Sequence, residues 1–299
     1  MKIGISPPLA APIATPEYIT TVARAADEIG YSSIWAPEHV VLFDEHENSR
    51  YPYSEDGRIG VPASAGILDP FQALTFVAAA TKNIRVGTGI LLLPQRNPVY
   101  TAKAAASLDW LSGGRFDFGI GIGWLREEFE SVQVPWPRRA QRTAEYVEVM
   151  KRLWMDETSS FGGEFYNLKP ARQYPKPVQQ PHPPIIFGGE SDAALKRVAT
   201  IGNGWYGFNH DPESAKERLV VLDRLLAENG RSRKDIRVLV CPFRHRANPE
   251  MLEQFAELGV DEVILAAGAR TAENMVGRME ELAAELMPTA ERLGEAALA

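Results

Sequence analysis

Four short stretches of this 299-residue chain carry residue types that can do chemistry. In "WAPEH" (35–39), Glu38 stands beside His39. A histidine titrates near neutrality and a carboxylate can orient it, so the pair suits proton donation or acceptance, or polarising a substrate oxygen. The same pair would also serve as a polar cap at a strand end. "FDFGIGIGW" (116–124) sets Gly119, Gly121 and Gly123 in alternate positions ahead of Trp124. A dinucleotide fingerprint, G-x-G-x-x-G, would need its third glycine where Trp124 stands, so the match fails by one residue. The glycines either leave room for a flat ligand against backbone or adjust layer packing. "FGGES" (187–191) brings the N–H groups of Gly188 and Gly189 and the Ser191 hydroxyl to the start of a helix. That is an anion site, with phosphate its usual guest, or a tight turn capped by Ser191. "CPFRHRANPE" (241–250) clusters Arg244, His245 and Arg246, which could hold an anionic cofactor tail or substrate, or be solvated charge.

The elements that must position these groups alternate regularly. "KIGIS" (2–6) is a short apolar run, and the helix after it has Thr15 as N-cap, Pro16 in its first turn and Gly30 past its end. Strands follow at "SSIWAPE" (32–38), "IRVGTGILLLP" (84–94) and "RFDFGIGIG" (115–123), separated by helices that Asp69 caps and that Gly113 and Gly114 end. Residues 156–184 carry six prolines and predict an irregular excursion with a small hairpin at 161–168. Four more units begin at "IIFGG", "GWYGF", "IRVLVCPF" and "DEVILAA". Eight strand-then-helix units with continuous apolar strands predict an α/β protein, a parallel (β/α)8 TIM barrel, in one domain over 1–299. Active sites of such barrels lie at the C-terminal ends of the strands, where all four stretches fall.

Composition narrows the function classes. A net charge of -7 without a run of Lys or Arg argues against nucleic acid. No apolar stretch approaches the roughly 20 residues that cross a bilayer. A single cysteine, Cys241, and a start without a signal-peptide pattern predict a cytoplasmic protein with a buried core thiol. The five histidines show no metal-ligand spacing, so no metal is expected.

Together, "LDWLSGGR", "GIGIGW" with the following "EEF", and the Pro-rich run into "IIFGG" resemble the bacterial luciferase-like family of flavin and deazaflavin oxidoreductases. The resemblance covers residues 1 to about 270, and "WAPEHV" looks like the branch that uses the deazaflavin coenzyme F420. It implies a TIM barrel with an insertion after the fourth helical layer. It also implies that the cofactor ring lies against Thr88, Gly89 and the Gly121–Gly123 backbone with Trp124, and that the phosphate sits at Gly188, Gly189 and Ser191. A cis peptide is implied near Thr88–Gly89, and a homodimer is expected.

The function expected is hydride transfer between F420 and a small organic substrate, with His39 moving the proton and Glu38 tuning it. FMN in the same pocket would make a monooxygenase fed by a separate reductase. The other classes are a flavin-binding protein without turnover and a hydrolase. The hydrolase needs a second strand-end carboxylate within about 10 Å, and none stands out after strands three to eight. The segment from His39 to Leu68, with Phe43, Tyr51 and Tyr53, is expected to be a specificity-setting lid.

Overall fold

A computed structural model describes residues 1–296. Eight parallel strands pair in sequence order: β1 (Lys2–Ser6), β2 (Ser33–Ala36), β3 (Arg85–Thr88), β4 (Phe116–Gly121), β5 (Ile185–Gly188), β6 (Gly204–Phe208), β7 (Arg237–Cys241) and β8 (Glu262–Ala266). β8 pairs with β1 over its whole length, so the sheet closes into the expected (β/α)8 barrel. The helices outside it are α1 (Pro16–Ile29), α2 (Pro70–Ala80), α3 (Pro98–Ser112), α4 (Arg126–Ser131), α5 (Arg139–Met155), α6 (Asp192–Ile201), α7 (Pro212–Glu228), α8 (Pro249–Glu257) and α9 (Ala272–Ala296).

Local chemistry sets the helix boundaries. The Thr15 side chain accepts from Tyr18 N, and Gly30 ends α1 at φ +101°, a left-handed backbone that glycine adopts without cost. Asp69 caps α2 and Gly113 ends α3. Val147, Met150 and Trp154 are the buried stripe of α5. The Pro-rich excursion holds a hairpin, Ser159–Gly162 against Asn167–Ala171, slightly wider than its sequence signal. α9 runs ten residues beyond its apolar pattern and continues through Pro288.

Several strands are shorter than their apolar runs, two of them for a local reason. β2 stops at Ala36, before Pro37, which has no N–H for the ladder. The run 84–94 is divided: β3 ends at Thr88, a cis peptide joins Gly89 to Ile90, and Leu91–Leu92 pairs separately with the end of β4. The cis bond thus falls one residue beyond the place the resemblance implied.

Trp35, Ile186, Tyr206, Leu239, Cys241 and Ile264 form one buried cluster in the barrel interior. Below it, Asp117 accepts from Arg85 and Arg237, while Glu262 accepts from Arg237, Ser32 and Ser33. These groups sit at the starts of strands, so this ionic plug belongs to the stability face of the barrel. The opposite rim is left for the site. Among the described residues, no helix is long and apolar enough to cross a membrane.

Candidate active site

His39 follows β2, and its nearest carboxylate comes from α4. Nδ1 lies 3.2 Å from Glu128 Oε2, with Glu128 fully buried. The carboxylate also accepts from Val40 N at 2.6 Å and from Gln95 Nε2 at 3.1 Å, which fixes it in place. With Glu128 as acceptor, His39 carries its proton on Nδ1 and Nε2 is the nitrogen left for a reactant.

Glu38 does not partner His39. Its carboxylate accepts from Leu92 N at 2.5 Å and from the Arg96 guanidinium, which also binds Asp69. Burial pushes the Glu38 carboxyl above the usual carboxylate range, and the neighbouring Arg96 opposes that shift. Adjacent residues leave a strand end in opposite directions, so sequence adjacency put together two side chains that the backbone separates. Glu38 is a clamp between the end of β2 and the turn after β3.

The glycines of β4 make room for the chain's own atoms. A Cβ on Gly119 would collide with the Thr88 carbonyl, one on Gly121 with Ile90 Cδ1, and one on Gly123 with the Phe129 ring. A Cβ on Gly188 would stand 2.8 Å from the same Ile90 atom. Packing, rather than an open bay, accounts for these four positions. Ile90 occupies the niche between the ends of β4 and β5 and is itself half-exposed, so it forms the floor of the rim. Thr88 is fully buried and its hydroxyl donates to Gly119 O at 2.6 Å, which commits that side chain to the sheet. Gly89 N donates to Ala36 O at 2.7 Å.

After β5, Gly189 turns at φ +109° and Ser191 caps α6 by accepting from Ala194 N. Glu190 between them is drawn away from the turn: it accepts from Phe208 N at 3.0 Å and Tyr53 Oη at 3.3 Å and pairs with His210 Nε2 at 2.6 Å. Two arginines come from α5 and α6, the helices before and after β5. Arg139 Nε donates to Gly123 O, and Arg197 Nε, on α6, is buried with no hydrogen-bond partner. Neither guanidinium forms an ion pair among the described residues. Burial lowers the pKa of both, and Arg139 lowers that of Arg197 further. Two partly buried cations without ion-pair partners, near enough for Arg139 to depress the Arg197 pKa, fit an anionic group such as the phosphate of a flavin or deazaflavin.

Trp124 stands edge-on to His39, His46 and Tyr51, with ring centroids 6.0, 5.3 and 5.1 Å apart. Tyr51 continues to Tyr53 and Tyr53 to Phe208, so the expected lid packs onto the rim through aromatic edges. Glu127 secures its middle by accepting from Asn48 N and Ser49 Oγ. Sequence reasoning missed Glu128, Glu190, Arg96, Arg139 and Arg197. Only Glu128 had a visible signal, as the second Glu of the "EEF" that follows the β4 glycines.

Fold and site together define a barrel enzyme whose reactive groups gather at the C-terminal ends of the strands. Residues 1–297 match the luciferase-like monooxygenase family, and the chain belongs to it. Members of that family are oxidoreductases and monooxygenases. An uncharacterised protein of Mycobacterium tuberculosis is 32% identical over 265 residues, which is 88% of this chain and 92% of that protein. The monooxygenase RslO1 from Streptomyces bottropensis superimposes with a TM-score of 0.77 at 22% identity, covering 96% of this chain and 99% of its own. The coenzyme F420-dependent tetrahydromethanopterin reductase from Methanopyrus kandleri does so at 0.73 and 18%, covering 96% and 98%.

Proposed function

We propose that the protein is a coenzyme F420-dependent oxidoreductase acting on a small organic substrate, with His39 moving the proton. One observation carries this reading: an oriented histidine follows β2 at the rim where Arg139 donates to the Gly123 carbonyl after β4, and neither Arg139 nor its neighbour Arg197 has an ion-pair partner among the described residues. Arg139, Arg197 and the turn's N–H groups would hold the cofactor phosphate, and Ile90 would underlie the ring, beside Gly89 and Trp124. When bound, the deazaflavin supplies a two-electron hydride carrier that reacts poorly with oxygen. His39 holds or receives a proton at Nε2, Glu128 keeps that nitrogen aimed, and the segment between β2 and α2 shields the rim from water.

The preference for F420 rests on the "WAPEHV" form of the β2 end. FMN with a separate reductase is the second reading, favoured by the similarity to a monooxygenase over nearly the whole chain. A hydrolase is disfavoured because Glu38 is bound to Arg96 and Glu128 is occupied by four donor groups, so neither carboxylate is free.

Equilibrium dialysis against F420 and against FMN tests the reading. F420 is expected to bind at least tenfold tighter. Arg139→Ala is expected to weaken binding by about tenfold, the size of one charge-assisted hydrogen bond. Micromolar FMN binding without F420 binding would overturn the F420 reading in favour of the monooxygenase.

A further inference from the structure

A cavity of about 360 Å³ opens between the β7–α8 loop, the end of β8 and α9. Arg244, His245, Arg246 and Arg278 line it together with Leu265 and Leu282. Two of the arginines are already engaged: Arg278 binds Glu281 at 3.0 Å, and Arg246, 82% exposed, lies 3.6 Å from Glu285. Arg244 and His245 have no ion-pair partner among the described residues. Asp211, the carboxylate near His245, caps α7 through Ser214. The loop is held in this shape. Phe243 takes φ +37°, which side chains other than glycine seldom adopt, and its ring stacks on Phe208 at 4.7 Å.

Phe208 also belongs to the aromatic row that begins at His39. Trp124, Tyr51, Tyr53, Phe208 and Phe243 follow one another at centroid distances of 4.7 to 5.4 Å. None of the five is fully buried. One end of this apolar track meets the oriented histidine, and the other meets Arg244 and His245 over a cavity.

We infer that the substrate is an amphipathic organic anion, its carboxylate or phosphate held by Arg244 and His245 and its apolar body laid along the aromatic row toward His39. The inference takes the catalytic end from the proposed function, whereas the binding it requires does not depend on a cofactor. An aromatic row gives area without a code for one body shape, so Arg244 and His245 select the charge class.

Calorimetric titration of the cofactor-free protein with phenylbutyrate, phenylbutanol and butyrate tests it. Phenylbutyrate is expected to bind at least tenfold tighter than either fragment-like probe. Arg244→Ala with His245→Ala should erase its advantage over phenylbutanol, Arg244→Lys should keep part of it, and Arg246→Ala should change it less than twofold. Equal binding of acid and alcohol to the wild type overturns the inference, as does an Arg246→Ala loss matching that of the double variant. A third arm compares F420 with its form lacking glutamates: if the double variant weakens only the glutamylated form and leaves phenylbutyrate binding unchanged, the cavity serves the cofactor tail and the substrate assignment falls. Failure of F420 and FMN to bind while phenylbutyrate behaves as expected would sink the proposed function alone.

Discussion

His39 Nδ1 and Glu128 Oε2 lie 3.2 Å apart although 89 residues separate them in sequence. The contact joins the end of β2 to the first turn of α4, and Glu128 also binds the two backbone N–H groups that follow His39. One buried carboxylate therefore fixes both the ring and the chain that carries it.

Replacing Glu128 with Gln is expected to lower turnover by roughly tenfold while leaving KM and cofactor affinity nearly unchanged, because orientation rather than contact is lost. The imidazole nitrogen resonances of His39 should report a single Nδ1–H tautomer in the wild type and a mixture in the variant. An unchanged tautomer and rate would make Glu128 a packing group.

Glu38→Gln should act on stability. It breaks a buried bidentate pair with Arg96, which keeps Asp69 as its remaining partner. Urea denaturation is expected to show a loss on the order of 3 kcal/mol, with turnover of the folded variant little altered. A variant of wild-type stability with reduced turnover would return Glu38 to the chemistry.

The outer faces of α2 and α3 expose Phe76, Tyr100, Trp110 and Leu111, with Trp110 58% and Leu111 65% exposed. Lys103, the charge among them on α3, donates to the Tyr174 carbonyl. An apolar face with a single tethered charge can meet its own copy around a two-fold axis with little like-charge repulsion, so a homodimer through these helices is expected. Sedimentation should give a dimer for the wild type and a monomer for Trp110→Glu with Leu111→Glu. A wild-type monomer, or a variant that stays dimeric, contradicts this interface.

The barrel was legible because its signals are local. Buried parallel strands read as apolar runs, and Thr15, Gly30, Asp69 and Gly113 mark helix ends through bonds to residues within five positions. The site depends on distant pairings that leave no such trace. Nothing adjacent to Glu38 says that it faces Arg96 and not His39. The β4 glycines announce that space is needed, but their spacing cannot say that Ile90, arriving from the turn after β3, takes it. Arg139 and Arg197 lie on helix faces where exposed arginines are common, and only the closed barrel reveals their missing counter-ion.

Proton movement at His39 is tested most directly by single-turnover bleaching of saturating F420, followed by stopped flow with any substrate that the wild type reduces or oxidises. His39→Ala is expected to slow that step about a hundredfold or more, the usual size of a lost general acid or base, with cofactor affinity within a few fold of wild type. A near-wild-type rate at saturation, accompanied by weakened cofactor binding, would show His39 to be a ring contact and remove it from the chemistry.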